Sequence, residues 1–398
     1  MDLRELNDRI QRGQGARVRE QIAGLTPRDV ARADAATVAQ LAWRSGIPEL
    51  GVRLLNAIVR PSPRRPATPT AAECAEYAVC LIRSGSVDEG LLLLAGIDGA
   101  QTPQAIFYRV VGLVAQWDYE RSVPLLESYL ASPSLSEYQR LVGLVNLAAA
   151  YVHLRRLREA QPLLRELLYK SSLHRYQLMV GRVMELAGEY FIESRRWQEA
   201  HEFLDEAQAR LRESGSIDAF IVRRFQADLV YLESGGERGE KELLAVREEA
   251  LSRSHWETVR ELDRLRALPA RDPALWHRVF FGTPFAPYRR RLLEDMRVDA
   301  AQLPPSFEHV LGDPARAAGT FDLFTAMDER GKRALKSGSL THRLLTTLAS
   351  DFYRPATIPS LFAKLYPDQH YHPLHSPALI HDAIARLREW FERGRLPL

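Results

Sequence analysis

Histidine is the residue type that clusters in this chain. Five of its eleven histidines, His342, His370, His372, His375 and His381, lie within one short stretch near the C-terminal end. His370 and His372, with His375 three residues on, are spaced as a loop would space metal ligands, because neutral imidazoles ligate zinc readily. No cysteine accompanies them and the nearest acid is Asp368, so the pattern fits polar or phosphate-facing loop histidines better than a metal set. Neither a metal nor a cofactor is expected. Cys74 and Cys80 are six apart, which on a helix puts them on different faces and disfavours both a disulfide and a metal pair. The spacings that mark catalysis are missing from the sequence: there is no G-x4-G-K-[ST], H-E-x-x-H, C-x-x-C or G-x-S-x-G. Gly235-Gly236-Glu237-Arg238-Gly239 is too short and acidic to cradle phosphate and reads as a turn. The chain is not expected to be an enzyme.

Composition agrees with a soluble globular chain. Of 398 residues, 46% are hydrophobic and 26% charged, which argues against wholesale disorder and leaves room for two or three domains or one long repeat array. Residues Met1 to Leu6 alternate in charge without an apolar core, so no secretory leader is expected. The longest apolar run, Val142 to Leu154, is interrupted by Asn146 and His153 and falls short of the ~18 residues that span a bilayer. With only two cysteines, a cytoplasmic location and no membrane partner are expected. The net charge of +3 is unevenly placed: residues 318–398 hold 11 Lys and Arg against 8 Asp and Glu, while residues 1–317 balance at 43 each.

The elements that must position any site are helices. Leu147-Ala148, Tyr151, Leu157, Ala160, Leu164 and Leu167 are matched at identical offsets by Ala187-Gly188, Phe191, Trp197, Ala200, Leu204 and Ala207. Small residues stand where two helices touch, and large apolar ones fill the space beside them. Taking the small residue of each second helix as a marker places Gly51, Gly90, Ser122, Ala160 and Ala200 in equivalent positions, spaced 39, 32, 38 and 40. Turns are expected at Ser45-Gly46, Ser84-Gly85 and Trp117-Asp118. The spacing resembles the tetratricopeptide repeat, L-G-x2-Y then A-x3-F. Five repeats are expected, the earlier ones degenerate, for instance with Arg109 in a leucine slot. A sixth pair is expected near 217–233 and 238–252, and a closing helix over 255–267. Ahead of them, residues 2–12 read as an amphipathic helix, and Thr26-Pro27-Arg28-Asp29 as a capped helix start. The proline-rich run from Arg60 to Pro66 cannot be helical. This gives a helical cap over 1–35, repeats over 36–267 and a connector over 268–317. In the connector a second capped start is read at Phe281-Gly282-Thr283-Pro284-Phe285, and a break at Leu303-Pro304-Pro305.

In such a repeat the first helix of each pair faces the inner groove. Arg182, Glu185, Glu189 and Glu193, joined by Arg224 and Asp228 from the sixth pair, are therefore expected to line it. A groove of mixed charge suits a protein or peptide partner.

Residues 318–398 read differently: a short strand over Thr320 to Thr325, a helix over Leu340 to Ser350 with Leu344, Leu345 and Leu348 inward, a second over Ile358 to Tyr366, and a third over Pro377 to Arg393. Ile380, Ile384, Leu387 and Phe391 form the seam of the third, and Ser376 is its expected cap. A strand followed by three helices, with Asp351-Phe352-Tyr353-Arg354-Pro355 between the first two and Ala378 to Arg388 ending in R-L-R, resembles the winged-helix domain of OmpR/PhoB-type transcription regulators. The resemblance covers about the last fifth of the chain. It implies a recognition helix in the DNA major groove, with Ser376, His381, Asp382, Arg386 and Arg393 in contact and the wing expected to be incomplete. The expected fold is thus mainly α, a tetratricopeptide-like solenoid followed by a winged-helix-like domain. The expected function is a transcriptional regulator that contacts double-stranded DNA and holds a protein or peptide in its groove. Without a full wing, a homodimer or a partner is expected to complete the grip. The alternative is a non-enzymatic scaffold whose C-terminal domain binds protein.

Overall fold

The computed structural model describes residues 2–61, 67–174, 176–212, 217–234, 236–270, 273–303, 321–322, 327–328 and 335–394. Among these, the chain is mainly α-helical, and no helix is long and apolar enough to cross a membrane. The helices run α1 Leu3–Gln11, α2 Gly15–Ile22, α3 Arg32–Arg44, α4 Pro48–Val59, α5 Ala71–Ser84, α6 Val87–Ala95, α7 Pro103–Val114, α8 Tyr119–Leu130, α9 Glu137–His153, α10 Leu157–Leu173, α11 Gln177–Glu193, α12 Trp197–Leu211, α13 Ile217–Ser234, α14 Gly236–Ser252 and α15 Trp256–Ala270. After them come α16 Pro273–Phe281, α17 Ala286–Met296, the strands β1 Phe321–Asp322 and β2 Met327–Asp328, and α18 Leu340–Leu348, α19 Ile358–Leu365 and α20 Ser376–Gly394. Two compact units result: residues 1–83 with 90–262, and residues 84–89 with 263–398.

The first unit is a helical repeat. Neighbouring helices pack in sequence order from α7 to α14, and α9 also touches α11, and α11 touches α13, so the odd-numbered helices form a layer of their own. The turns inside the pairs share one geometry. Gly46, Gly85, Trp117, Arg155 and Arg195 have φ between 55° and 104°, the left-handed region. Each lies five residues before one of the small markers Gly51, Gly90, Ser122, Ala160 and Ala200. At four of these turns the first helix is closed by the same bond, from the amide of Ile47, Asp118, Arg156 or Arg196 to the carbonyl of Ala42, Leu113, Tyr151 or Phe191, at 2.8–2.9 Å. This is the Schellman closure, which satisfies helix-end carbonyls at the cost of one left-handed residue. Tryptophan and arginine in that slot cost roughly 1–2 kcal/mol each where glycine costs none. The two best copies also share a cation–π pair, Arg156 over Tyr151 at 4.5 Å and Arg196 over Phe191 at 4.8 Å.

Close packing explains the small residues. Ser122, Ala160 and Ala200 are fully buried. A Cβ built on Gly188 would stand 2.5 Å from Leu204, and one on Gly181 would stand 2.7 Å from Leu211. As the glycine moves up α11 its leucine moves down α12, so these two helices run antiparallel with their backbones close. Leu204, Ala207, Leu211, Val222 and Leu229 continue the core into α13. At the N-terminal end Leu6, Val18 and Ile22 of α1 and α2 cover α3 and α4.

Several expectations change. Thr26 to Asp29 starts no helix: the Thr26 amide and hydroxyl both donate to the Asp29 carboxylate, at 2.9 and 2.6 Å, closing an isolated turn. The next helix begins at Arg32, and α2 lies where no helix was expected. Thr283 does not cap α17, because its hydroxyl donates back to the Val279 carbonyl of α16 at 2.7 Å. The residue preceding α17 is Phe285, whose side chain makes no capping bond. Residues 62–66 and Pro304-Pro305 lie outside the described residues.

In the second unit, α18, α19 and α20 pack mutually. Leu344, Leu361, Phe362, Leu365, Ile380, Ala383 and Leu387 are buried. Leu348 was expected inward but is 41% exposed. Ala383 takes a place in the α20 seam, while Ile384 and Phe391 are only half-buried. Of the expected strand, Phe321 and Asp322 pair antiparallel with Asp328 and Met327, while Thr320 and residues 323–325 are outside the described set. The turn Ser84–Glu89 belongs to this unit. Its Ser84 carbonyl accepts the Thr357 hydroxyl at 2.8 Å, Asp88 pairs with Lys364 at 2.9 Å, and Glu89 accepts the Tyr371 amide at 3.2 Å.

Candidate functional site

The residues predicted to line a groove come together in the first unit, on the layer of odd-numbered helices. Arg182 on α11 forms an ion pair with Asp218 on α13. Arg224 on α13 pairs with Asp228 one turn on at 2.8 Å and reaches Glu261 on α15 at 3.7 Å. Glu189 lies 3.5 Å from His153 at the end of α9, and Glu193 pairs with Arg155 at 3.1 Å. Five of the six are thus tied to a neighbour in one charged layer that spans α9 to α15. Arg182 is the most open of them, its side chain 46% exposed, whereas Asp228 and Glu185 are buried.

Glu185 is the electrostatic centre. It is 8% exposed, and its Oε2 has no hydrogen-bond donor. Burial, opposed by Arg182 and reinforced by Asp218 and Glu189, pushes its carboxyl up to about 8 from an ordinary 4.5. Glu76 in the same layer is equally buried but differently served. Its carboxylate accepts from the Tyr108 hydroxyl at 2.6 Å and from Gln40 and Trp43 at 3.0 Å each. Glu76 therefore completes a closed structural network, and Glu185 does not.

Other members of this layer were not expected from the sequence. Trp117, at the left-handed position of its turn, donates its indole N–H to Glu257 on α15 at 3.1 Å. Glu257 also accepts from the fully buried Arg260 at 2.6 Å. The Trp117, Tyr119 and His153 rings stand together, with centroids 4.3 Å apart for Tyr119 and His153 and 5.8 Å apart for the pairs that include Trp117. Trp117 and Glu257 are 140 residues apart, so no local pattern links them. The available signal was tryptophan in a slot that usually holds glycine.

In the second unit the predicted DNA-contact residues fall on α20. His381, Asp382 and Arg386 are exposed, turned away from the seam of Ile380, Ala383 and Leu387. Ser376 differs from expectation. It is 3% exposed, and its hydroxyl accepts the His372 amide at 2.9 Å, because α20 begins at Ser376 itself and the serine faces its own preceding loop. The Arg393 side chain lies outside the described residues. The loop histidines do not share one centre: the rings of His372 and His375 stack at 4.4 Å, while His370 lies 3.6 Å from Glu89. No protein-family model matches this chain, and no curated protein matches it either.

Proposed function

We propose that the chain is a DNA-contacting transcriptional regulator. In this reading its tetratricopeptide-like repeats hold a protein or peptide partner, and its last three helices form a winged-helix-like reader. The observation that carries the reading is the face of α20. Its buried seam holds α18 and α19, and the opposite face leaves His381 exposed in the first half of the helix and Arg386 at its middle. That is the arrangement a helix needs to enter a major groove, where a guanidinium can donate two bonds to one guanine edge. The repeat reading is supported by the common left-handed turn and the shared Schellman closures.

The test is selection of genomic duplex fragments by the full chain at low salt, followed by titration of those retained. Arg386→Ala should weaken a specific site by about 1–3 kcal/mol and relax preference at one position. If Arg386 meets only phosphate, binding weakens evenly across sequences and the salt slope falls by about one. Retention of no duplex refutes the DNA reading.

A second reading, a scaffold whose last domain binds protein, is favoured by one observation. Exposed Asp382, Glu389 and Glu392 share α20 with Arg386 and Arg388, and carboxylates repel a phosphate backbone.

A further inference from the structure

A buried carboxyl oxygen with no donor is costly, and more so if it is ionised. Glu185 Oε2 is such an oxygen, yet guanidinium groups stand around it. They are committed elsewhere, Arg182 to Asp218, and Arg224 to Asp228 and Glu261. The charged groups around Glu185 are Arg182 and Glu189 from its own helix and Asp218 and Arg224 from α13, and Glu189 in turn lies against His153 of α9. One turn along α11 from Glu185 stands Glu189, which lies against His153, and the His153 ring in turn meets those of Trp117 and Tyr119. Aromatic faces attract cations through their quadrupoles, and more strongly where water is excluded. An orphaned buried carboxyl, acids around it and an aromatic cluster beside it call for the same kind of ligand.

We propose that the charged layer of α9, α11 and α13 binds a cationic group, a guanidinium or an alkylammonium. Its donors complete the Glu185 carboxyl, and its flank lies against the Trp117–Tyr119–His153 rings. This rests on the partner-binding half of the proposed function and adds the chemistry of the partner. The cation belongs either to a free small molecule or to an arginine or lysine side chain of a peptide. In both cases Glu185 must be ionised to accept it. Burial holds that carboxyl protonated at neutral pH, so binding the cation expels one proton.

The test is calorimetric titration of the full chain with three probes: a blocked octapeptide with one arginine among neutral residues, the same peptide with citrulline in place of arginine, and methylguanidinium. The arginine peptide should bind at least tenfold more tightly than its neutral citrulline counterpart. Its affinity should rise between pH 6 and pH 8, and its heat should vary with the ionisation enthalpy of the buffer. Glu185→Gln should abolish the arginine preference and the buffer dependence together. Methylguanidinium binding as well as the peptide identifies a small-molecule site, and binding of the peptide alone identifies a side-chain site. Equal binding of arginine and citrulline peptides overturns the inference but leaves partner binding standing. Binding of neither peptide nor of methylguanidinium overturns both, and the arginine–citrulline comparison decides even if Glu185→Gln does not fold. DNA retention is measured separately and is indifferent to every one of these outcomes.

Discussion

The close approach of α11 and α12 can be tested by filling it. Gly188→Ala places a methyl 2.5 Å from Leu204 Cδ2 and 2.6 Å from Leu204 Cγ, where carbon atoms prefer about 3.5–4.0 Å. Leu204 is fully buried and has no solvent to swing into. Overpacking of this kind costs about 1–3 kcal/mol, and the gain in helix propensity from glycine to alanine returns about 1 kcal/mol. The single variant should therefore range from near neutral to about 2 kcal/mol less stable. Leu204→Ala alone should cost about 2–5 kcal/mol, the range for a buried leucine. In the double variant the methyl added at position 188 enters the space Leu204 has left. Gly188→Ala should then change sign and stabilise the Leu204→Ala background by about 1 kcal/mol. The cycle is read by urea unfolding followed by far-UV circular dichroism, with amide exchange in α11 and α12 to localise the change, because repeat arrays can open in parts. Additivity of the two substitutions within about 0.5 kcal/mol would show that the two side chains do not share space and would refute the packing argument.

Ala200→Arg forces a charge into a fully buried contact between helices and should cost roughly 3 kcal/mol or more; a melting temperature within a degree or two of the parent would rule out the repeat register described above. Glu185 gives a pH test with a definite sign. Its folded value is raised from 4.5 to about 8, so its stabilising, protonated form is fully present below 4.5 and is lost as pH rises through 8. Stability should fall across that window by an amount on the order of a few kcal/mol, and Glu185→Gln, which stays neutral, should flatten the fall and unfold at higher urea than the parent at pH 9. A Glu185→Gln profile parallel to the parent's would assign the drift to other groups.

Local pattern determined a good deal here. The helices of the fourth and fifth pairs, the turns at Ser45-Gly46, Ser84-Gly85 and Trp117-Asp118, and the small residues at Ala160 and Ala200 are set by apolar period and size, which act within a few residues of one another. The same is true of Leu344, Leu361, Phe362, Ile380 and Leu387, each on the buried stripe of its own helix. Caps were less legible. Thr26, Thr283 and Ser376 have the composition of helix starts, but a hydroxyl can bond several nearby backbone or side-chain groups, and all three bond elsewhere. Only the tertiary structure decided the charged layer. The sequence placed Arg182, Glu185, Glu189 and Glu193 on one face of one helix. It could not say that Arg182 and Arg224 would be claimed by other acids, that Trp117 would meet Glu257 across the intervening helices, or that Glu185 would be buried with an oxygen unserved. Periodicity fixes which way a side chain leaves its own helix; what it meets there depends on helices far away in the chain, and on how their separations sum.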